Sequence, residues 1–333
     1  MSRTIAAVLI SAVLAAAASA APIYPAPTGG WTYTYTGDAD AYVGATKTLG
    51  ALDGQWMRGG NSDAWDGSAP GEVGPTPNGD SPGGAAVSGG ILSIEDTGDP
   101  RGAGYSDPSN RKVFFLRQLY AGGDSGNAAE VGPTYLDDGV TLSFRARLNP
   151  SPLDMTGPDG YILHDGGKGP FGLRQAQDNK TISFGLALTS DDANVTQNGL
   201  VMNRQVDNTP GGDVDTDDAA GTLNLLPIAD LTAWHEFWIT VQADANPGWT
   251  HRVDVYMDGS LTPDTFYVTA GDGKDDPGDN YINIEQGSTG QSGALDVDFV
   301  SYATGSHVPV PEPATLALMG VGLSGLLLRR KRR

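Results

Sequence analysis

The chain has 333 residues, a net charge of −20 at pH 7, no cysteine, 47 glycines and 22 prolines. This length accommodates one large β-sandwich domain, and the absence of cysteine excludes a fold held together by disulfide bonds. The acidic balance argues against a nucleic-acid-binding surface, and the many glycines and prolines favour short strands joined by turns over long helices.

The first 20 residues predict a secretory signal peptide. Arg3 supplies the positive charge, residues 5–17 form the apolar segment, and Ala18-Ser19-Ala20 matches the small-residue cleavage site. We therefore expect export and a mature chain that starts near Ala21.

Aromatic residues between glycine-rich segments are candidates for glycan binding. Trp56 and Trp65 flank a short polar segment, Tyr105 lies among glycines, and Trp249 lies in a predicted turn. A sugar ring stacks its apolar side on Trp or Tyr while neighbouring polar groups bind its hydroxyls. The alternative is that these rings cover the core of the domain.

Strict alternation of apolar and polar residues predicts two half-buried strands. At 140–148 the even-numbered residues are apolar and face one way, and 181–188 repeats the pattern with Ile182, Phe184, Leu186 and Leu188 inward. Shorter apolar runs predict earlier strands at 91–94 and 113–120. His164-Asp165, in a glycine-rich turn between 148 and 181, is a candidate for an acid/base pair.

Two acidic loops are candidates for a cation site. Asp213, Asp215, Asp217 and Asp218 place several carboxylates within six residues, and calcium prefers such oxygen ligands. The segment is not an EF-hand, because it has Asn224 where that loop needs its last glutamate. Calcium is the predicted cofactor, and plain solvation of the aspartates is the alternative, as it also is for residues 272–280.

A hairpin is predicted next. His235, Phe237, Ile239 and Val241 share one face, Asn246-Pro247-Gly248 turns the chain, and a second strand at 253–257 ends at Asp258-Gly259. Further runs at 266–269, 281–284 and 295–302 bring the count to at least eight short strands. This pattern predicts an all-β fold, an antiparallel two-sheet β-sandwich or jelly roll.

The hairpin at 234–259 resembles the central hairpin of concanavalin A-like, laminin G-like domains, and 295–302 is similar to their final strand. The resemblance implies one β-sandwich domain over residues 21–308. The chain departs from the best-known members because it has no cysteine pair and has long acidic loops.

No catalytic motif is evident in the sequence. Laminarinase-type glycosidases need two carboxylates on the same face of a strand, as in the spacing Glu-x-Asp. None of the six glutamates of this chain is followed by aspartate two positions later. Asp296 and Asp298 have the right spacing, but we expect them on a solvated face opposite Leu295, Val297 and Phe299. His235 is interpreted as a satisfied core or edge histidine. The sequence therefore predicts a noncatalytic protein.

The C-terminal segment has three parts. Pro311-Glu312-Pro313 precedes an apolar run at 314–328, which is a marginal membrane-spanning helix. Five cations follow the run and favour a cytoplasmic location for that end. They are Arg329, Arg330, Lys331, Arg332 and Arg333.

This segment, taken as 309–333, resembles the PEP-CTERM sorting signal of exopolysaccharide-producing Gram-negative bacteria. The resemblance implies that an exosortase, a membrane protease-transpeptidase, recognises Pro311-Glu312-Pro313, removes the tail and passes the protein to the cell surface or matrix. An ordinary single-pass tail anchor is the alternative.

Taken together, the sequence predicts an exported protein of the cell envelope, cell surface or extracellular matrix. Its β-sandwich is expected to bind glycan or to serve a structural role without catalysis. The expected partners are an exosortase, extracellular polysaccharide and, transiently, the inner membrane. The alternatives are a secreted polysaccharide hydrolase or lyase of the same fold and an adhesive protein without sugar specificity.

Overall fold

The computed structural model describes residues 21–35, 56–60, 84–88, 90–96, 113–121, 131–148, 171–175, 177–187, 197–206, 223–272, 279–286 and 293–310. Strands dominate these residues. The helical elements within them are the single turn α1 (Tyr135–Asp138) and a 3-10 turn at Gln177–Asn179. The prediction of an all-β domain is confirmed for this part of the chain.

The described strands, in chain order, are β1 (Tyr33–Tyr35), β2 (Trp56–Gly60), β3 (Gly84–Ser88), β4 (Ile91–Asp96), β5 (Val113–Ala121), β6 (Val140–Leu148), β7 (Phe171–Gln175), β8 (Lys180–Ala187), β9 (Gly199–Val206), β10 (Leu223–Pro227), β11 (His235–Ala243), β12 (His251–Met257), β13 (Asp264–Val268), β14 (Gly271–Asp272), β15 (Asp279–Gln286) and β16 (Gly293–Thr304).

These strands form two antiparallel sheets. Sheet I has the order β13-β12-β11-β6-β16-β4-β3, with β1 also paired to β16. Sheet II has the order β10-β9-β8-β7-β15-β5-β2, with β14 paired to β8. Neighbouring strands are often far apart in sequence, as β6 and β16 are, so long-range pairing defines the fold.

The core lies between the two sheets and is built from the inward residues of both. The rings of Phe144 in sheet I and Phe171 in sheet II stack with centroids 3.9 Å apart, and Phe237 lies 5.0 Å from Phe144. All three side chains are fully buried. The Phe144–Phe171 stack therefore packs the two sheets directly against each other.

The alternation predicted for the main strands is confirmed on their inner faces. Val140, Leu142, Phe144 and Ala146 of β6 are fully buried, and so are the described inward residues of β8 and β11 apart from His235, which is partly exposed. The outer face of β6 differs from the prediction, because Thr141 and Ser143 are also buried. This strand is covered on both sides.

Two chain segments cover the outer face of sheet I at β6 and β11, and we call them the terminal layer: residues 21–32 and 305–310. The backbone amides of Ile23 and Tyr24 donate to the Glu236 carboxylate at 2.7 and 2.9 Å. The Trp238 indole lies 5.8 Å from the Tyr24 ring, and its Nε1 donates to the His307 carbonyl at 2.7 Å. The terminal layer explains why polar residues of β6 and β11 are buried.

A β-bulge in β16 changes which of its residues point into the core, in contrast to the sequence prediction. The register with β6 shifts between Val297 and Phe299, which makes Asp298 the extra residue. Phe299 was predicted to share a face with Leu295 and Val297, but Val300 and Tyr302 take the core positions beyond the bulge. A regular two-residue period cannot anticipate this extra residue.

The predicted turns lie where glycine permits a positive φ. Asp258 and Gly259 have φ values of 51° and 85°, as both central residues of a type I′ turn require, and Gly248 has a φ of 91°. The strand pairing begins only at Val255 and Asp264, so the connection between β12 and β13 is longer than a two-residue hairpin loop.

Within the described residues, no helix has both the length and the apolar character needed to span a membrane. The predicted signal peptide at 1–20 lies outside the described residues, as does the predicted apolar helix at 314–328.

Candidate functional site

The outer face of the β12–β13 pair brings polar and aromatic side chains together at the edge of sheet I. Val253 and Val255 point into the core, so the residues that alternate with them point outward. The register places Arg252 opposite Tyr267 and Asp254 opposite Thr265. These four residues and Trp249 form what we call the hairpin surface.

The polar part of the hairpin surface is held in one geometry. The Arg252 guanidinium contacts the Asp254 carboxylate through Nε to Oδ1 and Nη2 to Oδ2, both at 3.0 Å. Thr265 Oγ1 donates to Asp254 Oδ1 at 2.5 Å. The hydrogen bond to Asp254 raises the pKa of Arg252. The group therefore offers fixed donors and acceptors next to solvent, since the Arg252 side chain is 38% exposed.

The aromatic part of the hairpin surface adjoins this ion pair. Trp249 lies in the β11–β12 turn, and its ring centroid is 6.4 Å from that of Tyr267, with the ring planes tilted by 38°. Both residues are half-buried. A half-exposed aromatic pair beside fixed polar groups has the composition that sugar-binding surfaces use.

His235 has a structural environment, as the sequence interpretation expected. Its Nδ1 lies 2.8 Å from Asp258 Oδ2, and its Nε2 lies 2.7 Å from the Asp230 carbonyl oxygen. The hydrogen bond to Asp258 outweighs the effect of burial and raises the pKa of His235. Both ring nitrogens have partners within the fold, as expected of a structural histidine.

Asp296 and Asp298 do not lie on a solvated face, and that prediction is wrong. Their side chains are only 4% and 1% exposed, because Arg147 contacts Asp296 at 2.8 Å and Arg145 contacts Asp298 at 2.7 Å. Both guanidinium groups lie over the Trp234 ring, at 4.7 and 5.1 Å from its centroid. The aspartates are neutralised and covered, which explains their burial.

One polar cluster was not anticipated from the sequence. Asp137 of α1 accepts from Lys180 Nζ at 2.7 Å and from Gln175 Nε2 at 2.9 Å, and His251 Nε2 lies 3.2 Å from it. Burial raises the pKa of Asp137, but the hydrogen bonds of Lys180 and Gln175 outweigh it and lower the pKa.

His251, the first residue of β12, is the fourth member of this cluster. Its side chain is fully buried, and burial lowers its pKa from 6.5 to about 4 despite the nearby Asp137 carboxylate. The ring is therefore neutral at pH 7. The cluster fastens α1 to sheets I and II. Its members come from three separate parts of the chain, namely α1, the β7–β8 pair and the start of β12, so no local sequence pattern indicates it.

The remaining predicted site residues fall wholly or partly outside what the structure describes. For Trp56 the backbone is described, as the start of β2. The others outside the described residues are Trp65, Tyr105, His164, Asp165, Asp213, Asp215, Asp217, Asp218, Pro311, Glu312, Pro313 and the five C-terminal cations. Across the residues that are described, no group of three or more His, Asp or Glu side chains is arranged to hold a metal ion. The predicted calcium loop thus stays a prediction.

Comparison with known proteins identifies the C-terminal segment. Residues 309–333 match the family model of the PEP-CTERM protein-sorting motif, and no curated protein matches the chain. Such a motif indicates an exported bacterial protein that is membrane-associated or displayed at the cell surface.

Solved structures resemble the sandwich at low identity. Alginate lyase Aly36B is 10% identical with a TM-score of 0.36, over 77% of this chain and 100% of that chain. Lectin II from Ulex europaeus is 10% identical with a TM-score of 0.37, over 67% of this chain and 91% of that chain. The exoplasmic/lumenal domain of VIP36 is 9% identical with a TM-score of 0.36, over 69% of this chain and 84% of that chain. The described residues of this chain form a two-sheet antiparallel β-sandwich, and residues 309–333 match the PEP-CTERM protein-sorting motif.

Proposed function

We propose that this protein is exported, sorted through its PEP-CTERM tail by an exosortase, and displayed at the cell surface or in the matrix as a noncatalytic glycan-binding module. The observation that carries the proposal is the match of residues 309–333 to the sorting motif. The tail determines the destination, and the sandwich is the part that acts there.

The hairpin surface supports glycan binding as the action of the sandwich. Trp249 and Tyr267 provide an apolar platform for the face of a sugar ring. Arg252 and Asp254 are already paired, so a sugar hydroxyl meets a donor and an acceptor that need no reorganisation. The ion pair also limits the net charge of the surface, which suits a neutral or weakly charged polysaccharide.

Retention of the purified sandwich on the host's own matrix polysaccharide tests this proposal. The wild-type domain should be retained, and Trp249→Ala should weaken binding by about 1 kcal/mol, roughly fivefold, because it removes one stacking ring. Leu261→Ala is the matched control, since it truncates an exposed apolar side chain between β12 and β13 but outside the hairpin surface.

The same incubation separates the competing functions. Release of reducing or unsaturated sugar ends would contradict the noncatalytic proposal and favour a hydrolase or lyase. Equal retention of wild type and Trp249→Ala would remove the hairpin surface as the binding site. No retention of the wild-type domain would leave a structural surface role, and retention unaffected by added oligosaccharide would indicate adhesion without sugar specificity.

A further inference from the structure

The exposed large hydrophobic side chains of the described residues all come from one part of the molecule. They are Ile23 (49% exposed), Leu261 (49%), Val308 (64%) and Val310 (46%). Ile23, Val308 and Val310 belong to the terminal layer, and Leu261 lies in the turn between β12 and β13. Single exposed apolar residues are ordinary, but their confinement to one face marks a contact surface.

Contacts of neighbouring residues connect the chain segments that carry these four positions. Tyr24 Oη accepts from the Gly259 amide at 2.9 Å and lies 3.2 Å from the Ser260 carbonyl oxygen, which fastens the 21–32 segment to the turn that carries Leu261. A Cβ atom on Gly259 would lie 3.2 Å from Ile23 Cγ2, so Ile23 also packs on this turn. On the other side, Trp238 contacts both Tyr24 and His307. We call Ile23, Leu261, Val308 and Val310 the terminal patch.

The sorting tail leaves the sandwich from this same surface. The His307 amide donates to Thr141 Oγ1 at 2.9 Å, its carbonyl accepts from Trp238, and Pro309 is buried. The chain is thus held to sheet I up to Pro309, two residues before the Pro311-Glu312-Pro313 motif.

This attachment leaves a very short connection to the predicted membrane segment. From Pro309 to the start of the apolar run at Ala314 is a tether that spans at most about 17 Å when fully extended. The headgroup region on one side of a bilayer takes up roughly 6 Å of that distance. The terminal layer is therefore kept next to the lipid for as long as the tail is inserted.

We propose that, before the tail is removed, the terminal patch rests on the headgroup region of the membrane that holds the tail, with sheet I towards the bilayer and sheet II away from it. The inference rests on the proposed function, because it requires an inserted tail. Lipid is the proposed occupant because the tether itself keeps the patch within reach of the bilayer. The acidic chain is repelled by anionic lipid, so apolar contact and the tether hold the patch in place, not charge.

Site-directed fluorescence quenching tests this orientation, and the absence of native cysteine makes single labels specific. Ile23→Cys and Leu261→Cys place an environment-sensitive dye on the terminal patch. Gln177→Cys is the control, because it is exposed in the turn between β7 and β8 of sheet II. Each full-length chain is reconstituted into phosphatidylcholine vesicles that contain a headgroup-labelled quencher lipid. Quenching should be several-fold greater at positions 23 and 261 than at position 177.

A second variant separates the tether from the patch. A long Gly-Ser linker inserted between Val310 and Pro311 should lower quenching at positions 23 and 261 towards the value at 177 if the tether dominates. Quenching that persists with the linker would show that the patch has its own affinity for lipid, which also supports the contact.

The outcomes that overturn the inference are distinct from those that overturn the proposed function. Equal quenching at all three positions in vesicles that carry the protein contradicts the proposed orientation alone. A change in dye fluorescence at positions 23 and 261 that appears only when the processing enzyme is added would indicate that a protein, not lipid, contacts the patch. Failure of the full-length chain to float with the vesicles would contradict an inserted tail and therefore the proposed sorting as well.

Discussion

The inner face of sheet I and the part of its outer face formed by β6 and β11 are both buried, but by different means. The inner face is covered by sheet II through apolar contacts such as the stack of Phe144 on Phe171. The outer face is covered by the terminal layer, which is attached through hydrogen bonds to Glu236 and Trp238. The inner face therefore accounts for the stability of the sandwich, whereas the outer face positions the two chain ends that are expected to be processed.

Truncation of a core ring on the inner face should have the largest effect. Phe144→Ala is expected to lower the free energy of unfolding by about 4 kcal/mol, because it leaves a cavity between Phe171 and Phe237. Urea denaturation of the sandwich domain measures this change. Phe144→Leu should cost clearly less, and an equal loss in the two variants would contradict a close-packed aromatic core.

Protonation of His251, in the buried polar cluster around Asp137, should cause the next largest loss of stability. Its folded pKa of about 4 lies below the ordinary value of 6.5, so the unfolded chain binds the proton first as the pH falls. The free energy of unfolding should therefore be unaffected by this group above pH 6.5 and should decrease towards pH 4 by about 3 kcal/mol in total.

Urea denaturation at a series of pH values measures the His251 effect. His251→Gln should remove the corresponding part of the slope between pH 6.5 and pH 4, whatever it does to stability at neutral pH. The facing Asp137 and Lys180 remain in both proteins, so the difference in slope isolates the imidazole. Identical slopes would show that folding does not lower the pKa of this ring.

Removal of the Glu236 carboxylate should release part of the outer-face cover. Glu236→Ala leaves the amides of Ile23 and Tyr24 without their acceptors and should cost about 2 kcal/mol. Hydrogen exchange at these two amides should accelerate while the core strands stay protected. Glu236→Gln is the matched control, because it retains one acceptor oxygen and should give a smaller change; no acceleration in either variant would contradict this mode of attachment.

Loss of the Trp238 hydrogen bond should have the smallest and most local effect. Trp238→Phe removes the donor to the His307 carbonyl and should cost about 1 kcal/mol, with faster hydrogen exchange over residues 306–310. Tyr24→Phe is the comparison, because it removes contacts to Gly259 and Ser260 only. If both variants loosened 306–310 equally, the C-terminal segment would not depend on Trp238 in particular.

The inner face was predictable from the sequence, and the outer face was not. The two-residue period at 140–148 and 235–241 identified the inward residues, because a strand buried against a second sheet must alternate. The same period suggested a solvated outer face. Thr141 and Ser143 are nevertheless buried, because their hydroxyl groups donate to the carbonyl oxygens of Gly305 and Phe237. A polar side chain can be buried when its hydrogen bonds are satisfied in this way.

The candidate site was predictable only in part, for a similar reason. Trp249 was identified by its place in a turn, but its neighbours Tyr267, Arg252 and Asp254 are brought to it by cross-strand register, which the sequence does not state. The bulge at Asp298 and the cluster around Asp137 depend on long-range contacts in the same way. The sorting motif, by contrast, is a local pattern and was identified from its residues alone.

Mass spectrometry of the protein shed from the surface of cells that possess the processing enzyme tests the central claim most directly. The account predicts a mature chain that begins near Ala21 and lacks the peptide after Pro313. A surface form that retains residues 314–333, or a full-length chain recovered from the cytosol, would contradict export and sorting through the tail.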